Sequence, residues 1–409
     1  MEKWGILLIW GLLMGLTEGA LADTALSRQE PLSEEWLQAG SDGVVHIAPQ
    51  HAPVRVRGWI DGGYTFNTDT PKSNFNGPYN AIDRDIPILN QLYLILDRPL
   101  VPLSGEWSFG GRVDVLYGYD YYLTQSTGFE RDKDQSTGWN QDHHGLALPQ
   151  IYGEVGFRDL SLKLGHFYTI IGYEGVPSLN NFFYSKSYSY QFAGPFTHWG
   201  GLLNWQPSSH WHLQGGIHNG WDTLQRETKN RPGVLLAAEY TVPSNLWSLG
   251  GALTTGSEPT GHPNDVGNRT RYSVIFKLRP TDQWEYVLHH HFAFQKEGTV
   301  SEKTSQWFGI DQYLFYRICE HLRAGLRFEW FQDDDGTRVS GAADRGNPNR
   351  GPFEGNFYSL SVGLNMTPHP NVLIRPEVRS DWFTGHRRPF HDGQDRNQVL
   401  LAINGLVQF

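Results

Sequence analysis

The stretch Asn397-Gln-Val-Leu-Leu-Ala-Ile-Asn-Gly-Leu-Val-Gln-Phe409 decides the architecture. Val399, Leu401, Ile403, Val407 and Phe409 recur at a period of two. Successive side chains of an extended chain point to opposite sides, so these five share one face of a strand. The face is apolar and ends on an aromatic residue.

The same alternation recurs upstream. Trp107, Phe109, Val113, Val115 and Tyr117 oppose Ser108, Gly110, Arg112 and Asp114. Leu322, Ala324, Leu326, Phe328 and Trp330 oppose His321, Arg323, Arg327 and Glu329. Val372, Ile374, Val378 and Trp382 oppose Arg375, Glu377, Arg379 and Asp381. About sixteen segments of ~10 residues fit this template. They are expected to begin near Val54, Leu89, Trp107, Leu146, Leu160, Thr197, Trp211, Pro232, Leu246, Thr270, Trp284, Thr304, His321, Gly355, Asn371 and Asn397.

The connections alternate in length. Short ones lie at Arg158-Asp159, 206–210, 242–245, 279–283, Cys319-Glu320 and 367–370, with 98–106 slightly longer. Long ones lie at 67–88, 120–145, 169–196, 222–231, 257–269, 296–303, 333–354 and 384–396. A soluble sandwich has no reason to keep this rhythm. A transmembrane barrel does, with tight periplasmic turns and longer outer loops. The expected fold is therefore all-β: an antiparallel up-and-down transmembrane β-barrel. An even strand count brings both ends of the barrel sequence to the periplasmic side.

Composition agrees. Of 409 residues 14% are aromatic, 46 are Gly and only 3 are Met, a β-rich balance. The mean hydropathy of −0.47 suits a barrel, whose strands show lipid only every second residue. A net charge of −10 argues against a nucleic-acid partner. The single Cys319 makes no internal disulfide.

The N-terminus reads differently. The apolar run Ile6–Leu16 behind Lys3, followed by Ala20-Leu21-Ala22, has the pattern of a secretory signal peptide. The expected division is a signal peptide at 1–22, a periplasmic segment at 23–53 and the barrel at 54–409. The periplasmic segment carries Glu30, Glu34 and Glu35 around Trp36. It reads as a lead-in, with a partial plug as the alternative.

The polar faces carry Arg55, Arg57, Asp61, Arg112, Asp114, Lys163, Glu239, Arg271, Lys277, Glu285, Arg323, Arg327, Glu329, Arg375, Glu377 and Arg379. Burying so many charges dry would cost several kcal/mol each, and a water-filled lumen removes that cost. Trp107, Tyr117, Trp211, Trp247, Trp284, Trp330 and Trp382 stand near the ends of the apolar faces, where interfacial girdles form. His166 and Gln312 depart from the apolar face, marking either a subunit interface or a register error.

Three local marks add a resemblance: Gly58-Trp59-Ile60-Asp61-Gly62 with Tyr64, Gly165-His166-Phe167, and Asn181-Phe182-Phe183-Tyr184-Ser185 leading to Gly194-Pro195-Phe196-Thr197-His198. From about Gly58 to Phe409 the chain resembles the OmpL-like family of outer-membrane β-barrel porins. That resemblance implies a porin-like channel in the outer membrane of a Gram-negative cell and names no solute. Phe409 resembles the terminal signal read by the outer-membrane assembly machinery.

Candidate pore residues follow. In general porins the loop after the fifth strand folds inward, and here that loop is 169–196. It would present Glu174 and Lys186 to the pore, or else stay outward as a mouth cover or subunit contact. Arg317, Arg323, Arg327, Arg375 and Arg379 with Arg55 and Arg57 form either a basic arc facing acidic groups, or wall ion pairs with Glu329, Glu377 and Asp381. Arg112 and Asp114 complete the candidate set. His289 and His291 share a strand face opposite His290, a weak metal pair read as wall residues. Asp333-Asp334-Asp335 and Asp392/Asp395 lack calcium-loop spacing and read as solvated loop tips. No cofactor and no metal are expected.

The leading expectation is passive diffusion of small hydrophilic solutes or ions. A structural or adhesive barrel with a blocked lumen is the alternative, and a barrel hydrolase with a Ser/His or Asp/His set is third. The chain is otherwise expected not to be an enzyme. Expected partners are outer-membrane lipid, lipopolysaccharide and the assembly machinery. General porins are trimers, which makes a homotrimer one expectation.

Overall fold

A period of two with unlike faces leads to a closed sheet, because an open edge in lipid leaves backbone N–H and C=O groups unpaired. The computed structural model describes residues 54–78, 85–100, 107–132, 137–141, 144–224, 231–260, 266–299, 301–339 and 351–409. The expected signal peptide and periplasmic segment lie outside these residues.

The wall strands are β1 (Arg55–Asn67), β2 (Ile88–Arg98), β3 (Trp107–Gly118), β5 (His144–Phe157), β6 (Leu160–Tyr168), β7 (Thr197–Ser208), β8 (Trp211–His218) and β9 (Gly233–Thr241). They continue with β10 (Trp247–Pro259), β11 (Val266–Leu278), β12 (Trp284–Gln295), β13 (Ser305–Cys319), β14 (Leu322–Asp333), β15 (Gly355–His369), β16 (Val372–Gly385) and β17 (Asn397–Gln408). A two-residue piece, β4 (Asn140–Gln141), pairs only with the start of β5, inside a long loop. The wall is thus a closed barrel of sixteen antiparallel strands. Each strand pairs with its sequence neighbours in the wall, and β1 closes on β17 through Trp59↔Gln408 to Asn67↔Leu400.

Fifteen of the sixteen expected starts fall within two residues of the observed ones. The exception is β11, which begins at Val266 rather than near Thr270. Gly267 and Asn268 have loop-like composition, yet the ladder continues through them to Val266↔Pro259.

The apolar faces point outward. Val399, Leu401, Ile403, Val407 and Phe409 are 37–54% exposed, whereas Leu400, Asn404 and Leu406 on the other face are nearly inaccessible. Aromatic side chains gather at both ends. Next to the short turns, Trp107 packs on Phe157, Trp211 on Tyr240 and Trp284 on Tyr316, with centroids 4.5–5.0 Å apart. Toward the long loops, Trp330, Tyr358 and Trp382 stack in sequence. These bands match the interfacial girdles of a membrane barrel. No helix among the described residues is long and apolar enough to cross a membrane.

His166 is not a lipid contact. It stacks on Trp199 at 4.7 Å and its ring nitrogens reach Ser126 Oγ and Leu148 O, both at 3.0 Å. The loop after β3 therefore lies over it, and Phe129 of that loop packs on Trp199. Glu130 of this loop accepts the Ser126 and Leu148 amides, and its burial pushes the carboxyl up to about 7. The other departure, Gln312, accepts a hydrogen bond from Tyr286 at 2.8 Å.

Candidate functional site

Loop 169–196 leaves the wall between β6 and β7, and the Thr169 amide bonded to Phe196 O at 2.9 Å closes its base. Asn181 folds the loop on itself, accepting from the Gly175 amide and donating to Gly175 O. Ser187 caps a one-turn helix, Tyr188–Phe192, by accepting from the Tyr190 amide at 3.0 Å.

The apolar tip seats in gaps left by glycines. A Cβ on Gly325 of β14 would stand 2.3 Å from Phe182, and one on Gly63 of β1 would stand 2.3 Å from the Tyr184 hydroxyl. Phe182 and Phe183 also pack on each other and on Phe315 of β13. Glycine lets a ring approach the wall backbone, and any larger residue would displace the loop.

The polar groups bind inward-facing wall residues far from the loop's root. Arg327 of β14 pairs with Glu174 at 2.9 Å and also reaches Ser185 O, Ser185 Oγ and Ser361. Glu377 of β16 accepts from the Ser185 amide at 2.9 Å and from its hydroxyl. Glu329 accepts from the Tyr188 amide at 2.6 Å, and Tyr188 donates to Asp381 at 3.1 Å. Arg379 donates to Lys186 O, Glu329 and Asp381, and Arg375 to Ser178 O and Asn181 O. On β2, Gln91 donates to Val176 O and accepts from the Ser178 amide.

This corrects the expectation that water bathes these charges. Arg327, Glu329, Arg375, Glu377 and Arg379 are each at most 4% exposed. The loop's carbonyls, amides and serine hydroxyls stand where water was expected. Their pairing favours the wall-ion-pair alternative over a free basic arc: Arg379 meets both Glu329 and Asp381, and Arg327 lies 3.8 Å from Glu377. Burial raises the Glu174 carboxyl, but Arg327, the Ser187 amide and Lys186 outweigh it and leave the group below its ordinary value. Lys186 is 8% exposed and has no ion pair among the described residues. Its burial lowers the ammonium's pKa.

The remaining candidates sit nearer the short-turn end. Arg57 pairs with Asp97 at 3.3 Å and Arg112 with Asp114 at 2.6 Å. Arg323 meets Glu285 at 3.3 Å, while Arg55 is exposed at the start of β1. Arg57, Arg112 and Arg323, with Lys163, Glu154 and Glu239, remain partly accessible.

Other clusters have structural partners. Asp333 is buried rather than solvated, because it accepts the amides of Thr337, Arg338 and Val339. Asp392 accepts from Ser73, joining the loop before β17 to the loop after β1. Ser273 lies 3.0 Å from His289 Nε2, whose Nδ1 is 2.7 Å from Asp311. The same Asp311 accepts from Ser189, which also contacts His291 Nε2 at 3.0 Å. The first three have the contact order of a hydrolytic triad. Ser273, however, is 1% exposed and does not border the nearby cavity. The chain of bonds instead ties β11, β12 and β13 to the loop. No group of three or more metal-ligating side chains occurs among the described residues.

The loop anchors Ser178, Ser185, Tyr188 and Ser189 and the wall residues Gln91 and Asp381 stood outside the candidate pore set. Serines carried no sequence signal, because their role depends on which wall the loop reaches.

Comparison with known proteins agrees with this architecture. No curated protein matches the sequence. The outer membrane channel DcaP of Acinetobacter baumannii is 13% identical, with 88% of this chain and 99% of that chain covered and a TM-score of 0.59. In-vitro folded OmpT of Vibrio cholerae in its trimer form is 10% identical, covering 87% and 99%, with a TM-score of 0.53. Salmonella typhi OmpF in complex with daunomycin is 11% identical, covering 89% and 99%, with a TM-score of 0.55. These likenesses concern the fold. The family described as "Putative beta-barrel porin-2, OmpL-like" matches residues 53–409. The chain therefore belongs to this family of outer-membrane β-barrel porins.

Proposed function

We propose that the barrel passes small hydrophilic solutes or ions by passive diffusion, and that loop 169–196 narrows the passage. The observation that carries this reading is the loop's attachment to β14 and β16, opposite its root between β6 and β7. Such a loop divides the lumen rather than covering the mouth. Six inward polar residues on β1, β3, β5, β6, β8 and β9 stay partly accessible: Arg57, Arg112, Glu154, Lys163, Gln214 and Glu239. Barrels of about sixteen strands are wide enough for an aqueous channel. Refolded protein in planar bilayers should show discrete conductance steps, and silence at every voltage would overturn the reading.

One observation favours the blocked-lumen alternative. Trp307, Phe331, Phe357 and Phe383 form an aromatic cluster at the outer end of β13–β16, with Phe353 and Phe390 from the loops. Swelling of protein-loaded liposomes in small sugars separates the readings, since a blocked barrel gives none. A non-enzymatic role fits the inaccessible Ser273 hydroxyl. A homotrimer is proposed as the assembly. Lipid and lipopolysaccharide would surround the outward faces. The C-terminal strand ending in Phe409 would serve as the signal for the assembly machinery.

A further inference from the structure

A cavity of about 220 Å³ lies between the root of loop 169–196 and the wall, bordered by Arg271, Tyr173, Glu174, Tyr190, Phe196 and Tyr313. The Glu174 carboxylate there is taken up by Arg327, Ser187 and Tyr313. Arg271, on β11, is 3% exposed. Among the described residues no carboxylate lies within ion-pair distance of it. A guanidinium carries five N–H donors, and among the described residues this one makes a single long hydrogen bond, to Ile171 O at 3.4 Å. Among the same residues its Nε has no acceptor, and the Tyr190 hydroxyl, on the same cavity, has no partner.

The guanidinium is held in place. The two legs of the loop flank it at glycines: a Cβ on Gly194 would stand 1.9 Å from its Nη1, and one on Gly172 would stand 3.7 Å from its Nη2. Asp311 is the acid whose charge reaches Arg271, but its oxygens bond Ser189 and His289 rather than the guanidinium. A buried ionised group without a partner is strongly disfavoured, so a bound acceptor would stabilise the site.

We propose that this cavity is a binding subsite for a small solute that joins a carboxylate to a ring-sized body. The planar guanidinium fork matches a carboxylate in two-point contact, and the Tyr190 hydroxyl supplies a further donor. Tyr173, Phe196 and Tyr313 offer ring faces to the body. A water occupies roughly 30 Å³ of liquid, so the cavity holds more than a lone carboxylate. The inference deepens the diffusion reading by naming a class of solute retained on the way through.

The test is calorimetric titration of the refolded full chain in detergent with benzoate, acetate, benzyl alcohol and inorganic phosphate. Binding is read without any current, so a silent channel and an empty subsite are distinguishable. Benzoate should bind, acetate more weakly and benzyl alcohol not at all. Arg271→Gln should weaken benzoate about tenfold or more, the effect of losing a charged hydrogen bond. Heat-modifiable gel mobility checks that the variant is folded. If it is not, Tyr190→Phe keeps the guanidinium and should weaken benzoate several-fold. Absence of benzoate binding, equal binding to a folded Arg271→Gln protein, equal binding of benzyl alcohol, or tighter binding of phosphate would each overturn the proposal.

Discussion

At the residue scale the pair Glu174–Arg327 holds the loop to the far wall. Both side chains are at most 5% exposed and 2.9 Å apart, so solvent screens the pair little. Glu174 keeps its charge because Arg327 and the Ser187 amide outweigh the burial that would raise its carboxyl. Its value in the fold is depressed, so its contribution is present above the unfolded carboxyl value of about 4.3. That contribution is lost as pH falls through the still lower folded value. Single-channel current should therefore be steady from neutral pH to about 5 and become noisier only below the ordinary carboxylate range. Glu174→Gln should abolish that acid onset and destabilise the folded barrel. Breaking a buried pair costs roughly 3–5 kcal/mol. Glu377 at 3.8 Å still faces Arg327, which places the loss toward the lower end. Current recordings across pH and thermal unfolding check both statements. Each partner was visible as a charged residue, but not their pairing, because a loop glutamate and a strand arginine 153 positions apart meet only once the loop turns inward.

At the element scale the loop and the wall are separable. The wall ladder runs from β1 around to β17 without using the loop. Excising Gly175–Phe192 should leave the barrel folded and raise single-channel conductance several-fold. It should also lower the unfolding temperature, since Arg327, Arg375 and Arg379 lose their loop acceptors. Unchanged conductance in a folded deletion variant would mean that the loop does not set the width. The loop's place after the fifth wall strand was legible from sequence. The sockets at Gly63 and Gly325 were not. A glycine in a strand reads only as a missing side chain until the ring that fills the gap is known.

At the scale of the whole molecule the outward surface is set by alternation. Ile403 is 47% exposed, pairs with Tyr64 and Pro376, and sits near the middle of β17. Ile403→Arg should cost about 2–4 kcal/mol of folding free energy if it lies at the bilayer midplane. Urea-dependent folding into lipid vesicles measures this, and a loss under about 0.5 kcal/mol would place Ile403 outside the hydrocarbon, against the lipid-face cost.

The sequence by itself determined the strand count, the short and long ends, the outward faces and the aromatic girdles. These depend on a period of two and on the spacing of turns, which are local. It misplaced the solvent of one part of the wall. Sixteen charges on inward faces implied water, whereas Arg327, Arg375 and Arg379 are covered by the loop. Only the tertiary structure decided that, because a backbone carbonyl satisfies a guanidinium as water does and carries no mark in the sequence. It also decided the fate of His166, which alternation assigns to lipid and the loop after β3 takes away from it.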